Sequence, residues 1–371
     1  MFVELHMIQN FAPANLNRDD TNNPKDCEFG GVRRARISSQ CLKRAIRLSP
    51  VFAQATGVDV GTRTKWLINR CLRPRLVEAG KSEEEAMAIL EKFVPEYASK
   101  LDEKSKEDKK TAVLLYLSRI EIDSLVRALL DNWESLSSDE AIKQLAKTLV
   151  KAQKEHTSAP DIALFGRMLA EHPELSLEAA CQVAHAISTH RVVMEMDFYT
   201  AVDDLNPEDT AGAGMMGFTG FDSACFYRYA RVDWDQLVQN LRGDTGLAAR
   251  TVEGFLRAAV AALPTGKQST FAAHNPPSFL LAVVRQDGMG WSLANAFEMP
   301  AKPNPSGGLV APSVAAMDVY WGRLCQIYGT DTLVRTAALA VDTDLPLEYL
   351  EATQVENLQT WVSAVVEALP V

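Results

Sequence analysis

The residues most able to do chemistry lie in one run near the N-terminus, NRDDTNNPKDCEFGGVRRARISSQCLKRAIR, residues 17–47. This run holds eight of the 38 Lys and Arg residues, and no Asp or Glu occurs from Phe29 to Val58. The whole chain is nevertheless acidic, with a formal net charge of -10. A cationic segment in an acidic protein predicts a local polyanion site rather than a surface that attracts nucleic acid everywhere.

A helix that begins inside this run would bring donors and cations together. Ser38 is a suitable N-cap, and Ser39 and Gln40 add hydroxyl and amide donors beside the free N–H groups of the first turn. A helix N-terminus attracts phosphate through those donors and its dipole. The cations around it are Arg33, Arg34, Arg36, Lys43, Arg44 and Arg47. The pattern predicts a phosphate-binding groove; the alternative is a solvated helix face.

A second candidate is a protruding hairpin with aromatic residues. Residues 194–205 and 223–232 look extended and flank a Gly-rich segment, which is typical of a β-hairpin. Phe198, Tyr199 and Thr200 lie near its start. An exposed aromatic ring there would stack on a base, a contact worth about 1–3 kcal/mol. The alternative is that strand alternation buries one of the two rings in a sheet, which composition alone favours slightly.

Two isolated lysines are weaker candidates for the same anion site. The segment PTGKQST, residues 264–270, contains Lys267 but lacks the GxxxxGK[ST] spacing of a P-loop, so nucleotide hydrolysis is not expected. Hydroxyl and amide groups around Lys267 could contact a phosphate or a partner subunit. The loop PAKPNPSGG, residues 300–308, holds one basic residue, Lys302.

Three aspartates are the candidates for a catalytic role. Asp19, Asp20 and Asp26 lie within the basic run, where carboxylates beside a phosphate site could hold Mg²⁺ for phosphodiester cleavage. No histidine accompanies them. His185 and His190 are too poorly spaced to share a helical face, and the six cysteines form no CxxC pair. The sequence predicts no cofactor and no metal, with a nuclease kept as the alternative.

The elements that must position these residues can be read from periodicity. Residues 2–9 predict an opening strand with Val3, Leu5 and Met7 on one face, and residues 10–31 predict a long functional loop. Further expected elements are a helix from Ser38 to Pro50, helices over 63–155, 175–190, 311–330 and 346–369, and a strand over 278–285. Neither a secretory signal nor an apolar run of ~20 residues is present, so we expect a cytoplasmic protein without a membrane span.

Several blocks of the chain resemble one known family. LNRDD, KDCEFGG, RRARISSQCLKRAIR, VAHAISTHRV through DFYTAVDDL, FYRYA and WSLANAFE follow one another in the order in which they occur in the CasC family. CasC is the crRNA-binding backbone subunit of the type I-E CRISPR Cascade complex. The similarity spans roughly residues 3–325, and the last 40 residues match poorly.

The resemblance implies an α+β fold shaped like a hand. Its palm would be a modified RRM-like (ferredoxin-like) fold, with a helical fingers insertion and a β-hairpin thumb. The implied boundaries are 1–57, 179–192 and 222–371 for the palm, 58–178 for the fingers and 193–221 for the thumb.

The resemblance also implies a non-catalytic, sequence-independent RNA-binding scaffold. Several copies, expected as a hexamer, would line the crRNA spacer, displace one nucleotide at regular intervals and present the guide for pairing with target DNA. The implied partners are crRNA, target DNA and the subunits CasA, CasB, CasD and CasE. The implied guide contacts are Arg18, Lys25, Ser38, Gln40, Lys43, Arg44 and Arg47, with Tyr199, Thr200 and Met168 at the displaced nucleotide. A scaffold that binds only proteins remains a further alternative.

Overall fold

The computed structural model describes every residue except 106, 155, 170, 202–214 and 346. The chain forms two compact units. The first unit consists of Met1–Ser49, Val183–Arg231 and Phe255–Leu369, and the second of Pro50–Gln182, Val232–Gly254 and Pro370–Val371. The second unit therefore contains the predicted fingers, 58–178, and also residues 232–254, which the prediction placed in the palm.

Most strands belong to one large sheet. The strands are β1 (Phe2–Ala14), β2 (Asp26–Phe29), β3 (Val32–Ile37), β4 (Thr62–Thr64), β5 (Leu115–Leu117), β6 (Cys181–Val183), β7 (Ala186–Ser188), β8 (Glu195–Ala201), β9 (Met215–Asp233), β10 (Phe279–Arg285) and β11 (Leu333–Ala340). The order across the large sheet is β11-β10-β1-β9-β7-β3-β2, with β6 and β8 also paired to β9. The neighbouring strands β11, β10 and β1 pair antiparallel, as do β9, β7, β3 and β2. Together with the helices, this sheet confirms the α+β class.

The helices flank the strands in both units. They are α1 (Ser39–Arg47), α2 (Pro50–Thr56), α3 (Arg73–Glu78), α4 (Glu83–Tyr97), α5 (Arg119–Asp131), α6 (Asp139–Ala152), α7 (Pro160–Phe165), α8 (Trp234–Asn240), α9 (Thr245–Ala261), α10 (Gln268–Phe271), α11 (Val310–Tyr328) and α12 (Leu358–Val366). Residues Leu67–Leu72 add a turn of π-helix before α3. In the part of the chain that is described, no helix has the length and apolarity needed to cross a bilayer.

The opening strand β1 is buried on both faces rather than on one. Phe2 through Ile8 are all buried, including Glu4 and His6. Leu5 and Met7 lie with Leu42 of α1 and Phe255 of α9, whereas Ile8 packs in the cluster that contains Trp321 of α11. Because helices cover both faces of the central strand, its polar side chains also belong to the interior.

The second unit has its own helical core. Leu90, Phe93 and Tyr97 of α4 are fully buried and pack with Leu125 and Leu129 of α5. The same cluster includes Ile142 and Ala146 of α6. Apolar residues three and four apart thus form the buried stripe of each helix, which agrees with the predicted helical character of residues 63–155.

Two expectations about local structure were wrong. Residues 175–190 form no α-helix, because β6 and β7 occupy Cys181–Val183 and Ala186–Ser188 and pair with longer strands. Residues 10–31 are only partly a loop, because β1 runs to Ala14 and β2 begins at Asp26. β1, β6 and β7 pair with strands distant in sequence, and such pairing overrides local propensity, whereas β2 pairs with the adjacent β3.

The residues from Leu333 to Leu369 belong to the first unit. β11 pairs with β10 along the sheet edge, and α12 packs against this part of the sheet. Trp361 of α12 is fully buried, and its indole N–H donates to the carbonyl of Ala337 at 3.0 Å. The segment that resembled the family least is therefore an integral part of the first unit.

Candidate nucleic-acid interface

The N-terminus of α1 is tied to the loop that precedes it. Ser38 is the N-cap, with its hydroxyl accepting from the N–H of Cys41 at 3.4 Å. The Ser38 N–H donates to Oδ1 of Asn17 at 2.8 Å, which fixes the loop to the helix start. No acidic residue lies in the first turn, and Gln40 is exposed. This end of α1 is therefore free of the negative charge that would repel an anion.

The basic residues of α1 differ in exposure. Arg44 is exposed and Lys43 is half-buried, so both reach the surface. Arg47 is only 7% exposed and lies one turn after Lys43. Most of the Arg47 side chain belongs to the interior, and only a small part of it could touch a ligand. Of the three cations predicted to face a ligand, Lys43 and Arg44 reach the surface and Arg47 is largely buried.

Asp19 holds the shape of the loop over residues 15–25. Its Oδ1 accepts from the N–H and the hydroxyl of Thr21, at 2.9 and 2.8 Å, and from the N–H of Asn23 at 3.0 Å. The Thr21 hydrogen bond and the nearby N–H donors lower the pKa of Asp19 below its usual value. Arg18 is exposed beside this turn, with Nη1 at 3.3 Å from Oδ1 of Asn22. The turn therefore leaves the Arg18 side chain exposed, whereas the Asp19 carboxylate forms hydrogen bonds within the turn.

The same loop is anchored to the β8–β9 hairpin. Asn15 is fully buried, and its Nδ2 donates to the carbonyls of Asn22, at 3.0 Å, and Gly220, at 2.8 Å. Gly220 also permits a close approach, because a Cβ there would lie 2.6 Å from Oδ1 of Asn23. The loop and the β8–β9 hairpin are therefore joined through Asn15.

Lys267 lies beside this loop although it is distant in sequence. Gly266 packs directly against the loop backbone, since a Cβ at this position would lie 2.4 Å from the carbonyl oxygen of Leu16. Lys267 follows in the left-handed region, with φ 49°, and begins the short helix α10. The fold thus brings the weakly predicted Lys267 next to the strongly predicted basic run.

Arg34 requires a correction. Its side chain is fully buried, and its guanidinium donates to the carbonyls of Phe29 (3.1 Å), Ser188 (3.2 Å), Phe297 (2.7 Å) and Glu298 (3.3 Å). With its donors engaged and no exposed surface, Arg34 cannot reach a guide. It instead holds the β2–β3 hairpin against the segment that leads to Lys302.

The neighbouring cations of that hairpin do reach the surface. Arg33 is exposed and forms an ion pair with Asp26. The carbonyl of Arg33 accepts from the N–H of Val192 at 3.0 Å. Lys302 is exposed, and the N–H of the preceding Ala301 donates to the carbonyl of Thr189 at 2.9 Å. Residues 189–192 therefore connect the β2–β3 hairpin with the Lys302 loop.

The carboxylates of the basic run are engaged separately. Asp19 serves the turn, Asp26 pairs with Arg33, and Asp20 is exposed. Among the described residues, no group of three or more His, Cys, Asp or Glu side chains could hold a metal ion. The three aspartates of the basic run therefore differ in their surroundings.

His185 is a site residue that sequence reasoning missed. It is exposed, and its Nδ1 lies 3.1 Å from Nη1 of Arg36. Partial burial, followed by the positive charges of Arg36 and Lys25, lowers the pKa of His185 below its ordinary 6.5. The pairing of β3 with β7 brings Arg36 next to His185. The sequence would have indicated this contact only if residues 186–188 had been predicted as a strand.

Strands β8 and β9 form an antiparallel hairpin, where the resemblance implied a thumb. Its register runs from Glu195↔Phe221 to Ala201↔Met215, and its tip, 202–214, lies outside the described residues. Phe198 is 52% exposed and Tyr199 is 43% exposed, so the expectation that one of them is buried was wrong. Thr200 is exposed as well.

Each of the two aromatic residues has a partner across the hairpin. The Phe198 ring lies 5.2 Å from that of Phe218, centroid to centroid. The Tyr199 ring covers Gly217, where a Cβ would lie 2.4 Å from its Cζ. Phe198 and Tyr199 are consecutive in the strand and so project to opposite faces. The hairpin therefore presents an aromatic ring on each side.

Met168 lies in the second unit and is 87% exposed. It follows Gly166, whose φ is 74°, and Arg167, whose guanidinium makes a buried ion pair with Glu121 at 2.8 Å. The buried pair fixes the backbone beside Met168 while the methionine side chain projects into solvent.

The fold and this face define an α+β protein whose large antiparallel sheet carries a cationic surface at one end of α1. The chain belongs to the family of CT1975-like proteins, whose model matches residues 3–366. No curated protein matches the chain.

Solved structures resemble this chain over its whole length. One, described as "CRISPR RNA-guided surveillance complex, pre-nicking", has 32% sequence identity and a TM-score of 0.88, with 99% of this chain and 100% of that one covered. Another, described as "CRISPR RNA-guided surveillance complex", has 27% identity and a TM-score of 0.77, with 100% of both chains covered. Full coverage of both chains means that the similarity extends over both units.

Proposed function

We propose that this protein is a backbone subunit of a CRISPR Cascade surveillance complex of type I-E and binds the sugar-phosphate backbone of a guide RNA. The first unit would be its RRM-like palm, the helices of the second its fingers, and the β8–β9 hairpin its thumb. Similarity over the full length to chains of RNA-guided surveillance complexes supports the assignment to such a complex.

The observation that carries the proposal is the convergence of distant segments on β3 and the start of α1. Asn17 binds the N-cap Ser38, Gly266 packs on Leu16, and Gly30 packs on Glu298. The first two contacts bring Arg18 and Lys267 close to the loop at the start of α1. The third brings the Lys302 segment to the turn of the β2–β3 hairpin, next to Arg33 at the other end of β3. Cations of this kind suit phosphates, which carry no sequence information.

Guide pairing would then supply DNA specificity, as in other RNA-guided systems. Several copies, expected as a hexamer, would line one crRNA, with Tyr199, Thr200 and Met168 displacing a nucleotide at each repeat. CasA, CasB, CasD and CasE would be the other subunits. The protein itself would be a scaffold without catalytic activity, which the separate engagement of Asp19 and Asp26 favours.

The test is co-purification of the full chain with its operon partners and a mixed library of guide RNAs. We expect RNA to be retained for all spacer sequences alike. Purified chain without bound RNA would overturn the guide-binding proposal. Mg²⁺-dependent cleavage of labelled RNA or DNA that disappears on Asp20→Ala or Asp26→Ala would instead favour the nuclease alternative.

A further inference from the structure

His185 lies beside the N-cap of α1. In the antiparallel pairing of β3 with β7, Arg36 lies opposite Ile187 and Ile37 opposite Ala186. Continuing that register by one residue places His185 opposite Ser38. An exposed imidazole therefore lies where the proposed guide-binding face begins.

Arg36 fixes which nitrogen of the imidazole carries the proton. Its Nη1 lies 3.1 Å from Nδ1 of His185, and its Nε donates to the carbonyl of Asp26 at 3.0 Å. A guanidinium only donates hydrogen bonds, so Nδ1 must be the acceptor. A neutral His185 then carries its proton on Nε2, which leaves one N–H donor available at the surface.

The surroundings of His185 favour the neutral ring. Partial burial, and then the positive charges of Arg36 and Lys25, lower the pKa of His185 below its ordinary value of 6.5. The side chain is thus an uncharged donor placed among cations, and these cations are the better partners for a phosphate. An uncharged donor in such a place suits a hydroxyl group of the ribose rather than a second phosphate oxygen.

We propose that His185 contacts the guide ribose, with its Nε2–H donating to a 2′-hydroxyl oxygen, and that this contact makes the face prefer RNA to DNA. The proposal rests on the proposed function, because it deepens the chemistry of the same face. Arg36 would be the positioning residue that holds the imidazole, while Lys25 and the α1 cations would hold the phosphates.

The test compares the affinities of the full chain for an RNA and a DNA strand of identical sequence. For His185→Ala we expect RNA affinity to fall about fivefold, the effect of one hydrogen bond, with DNA affinity and the salt dependence of binding unchanged. His185→Gln retains an N–H donor and should restore part of the RNA preference. Arg44→Ala should weaken RNA and DNA binding alike and flatten the salt dependence.

The outcomes distinguish a failure of the ribose contact from a failure of the guide-binding proposal. An equal fall of RNA and DNA affinity in His185→Ala, or no fall of either, would overturn the ribose contact while leaving the guide-binding proposal intact. A wild-type chain that binds neither strand would overturn both. Because His185 is exposed, circular dichroism melts of the variants should match the wild type, and a lowered melting temperature would indicate a structural role instead.

Discussion

Residues of one chemical type have different roles in the basic run, and burial distinguishes them. Arg33 and Arg34 are adjacent in sequence, but strand alternation places them on opposite faces of β3. The side chain of Arg33 is 71% exposed, whereas Arg34 is fully buried against four backbone carbonyls. One arginine can therefore serve a ligand, and the other serves the fold.

Arg34→Ala should destabilise the protein far more than Arg33→Ala. Removing the Arg34 guanidinium leaves the carbonyls of Phe29, Ser188 and Phe297 without their donor, so we expect the free energy of unfolding to fall by about 2–4 kcal/mol. Arg33→Ala breaks only an exposed ion pair with Asp26 and should cost about 0.5 kcal/mol or less. Urea denaturation of both variants measures the difference. Similar destabilisation by the two substitutions would contradict the assigned roles.

The buried His6 should make the free energy of unfolding depend on pH. Burial is the main cause that lowers its pKa to about 4, with Arg285 adding to the effect and Glu4 opposing it. Between about pH 4 and 6.5 the unfolded histidine binds a proton that the folded one does not, so the free energy of unfolding falls as pH falls. The slope is up to about 1.4 kcal/mol per pH unit.

Urea denaturation of His6→Gln and wild type at several pH values isolates this contribution. We expect the difference in unfolding free energy between the two proteins to change across the window from about pH 6.5 to 4 and to be constant above it. His274→Gln is the matched control, because His274 is exposed. A difference independent of pH would show that His6 is not held neutral.

At the scale of residues, the sequence indicated where the cations cluster but not which of their side chains face outward. The absence of acids from Phe29 to Val58 was sufficient to locate the cations. The burial of Arg34 and the exposure of His185 both depend on the pairing of β3 with β7. That pairing joins residues about 150 positions apart, as in the Arg36–His185 contact, and local periodicity carries no information on such separations.

At the scale of the elements, the turn of the β2–β3 hairpin requires glycine for two different reasons, backbone conformation and close packing. Gly30 and Gly31 both have positive φ, 60° and 69°. They differ in surroundings, because a Cβ on Gly30 would lie 1.8 Å from the carbonyl oxygen of Glu298, whereas a Cβ on Gly31 would meet no atom within 4 Å. The turn therefore offers a matched pair of positions that share backbone strain and differ in packing.

Gly31→Ala should cost only the strain of a left-handed alanine, about 1 kcal/mol. Gly30→Ala adds a clash with backbone that cannot rotate away, so it should cost at least about 1–3 kcal/mol more. The same clash pushes apart the hairpin and the segment leading to Lys302, so Gly30→Ala should also weaken guide binding. Thermal unfolding and RNA titration of both variants test this. Equal effects of the two substitutions would contradict it.

Tyr199→Ala tests the thumb. The ring is 43% exposed and covers Gly217, so the variant should fold with a destabilisation of about 1 kcal/mol. If the ring stacks on a base, assembly on guide RNA should weaken by about tenfold or more, because stacking is worth ~1–3 kcal/mol. Tyr199→Phe keeps the ring face and should assemble normally.

Phe218→Ala is the matched control for the thumb, because it removes an exposed ring from the opposite face of the same hairpin. We expect its assembly on RNA to stay near that of the wild type. Equally weakened assembly in Tyr199→Ala and Phe218→Ala would point to general weakening of the hairpin. Unfolding of Tyr199→Ala would show that its ring belongs to the core.

Elements with a strong local signal were predictable, and those formed by distant pairing were not. The Ser38 cap and the apolar stripe of Leu42 and Ile46 located α1 correctly. The Gly-rich segment between two extended runs located the β8–β9 hairpin. The alanines around Cys181 favoured a helix, yet β6 and β7 there are strands because β9 and β3 supply their hydrogen bonds.

For the molecule as a whole, the position of the charges should govern RNA binding more than the net charge does. The net charge of -10 opposes nucleic-acid binding in general, and the cations of the basic run act against that background. A short cationic patch binds modestly by itself. Repetition of the patch along one RNA would multiply its effect through the effective concentration of neighbouring copies.

Removing two cations from the site should therefore change salt dependence, whereas removing two cations elsewhere should not. In Arg18→Ala/Arg44→Ala, both truncated side chains are exposed at the proposed interface. The logarithm of RNA affinity should then fall less steeply with the logarithm of salt, by about 0.7 for each phosphate that is no longer neutralised. The control Arg323→Ala/Arg335→Ala makes the same change in net charge, with Arg335 on β11 at the sheet edge opposite β2. Fluorescence anisotropy with guide RNA across a salt series measures both slopes. Equal flattening in the two variants would mean that net charge, rather than the α1 face, governs RNA binding.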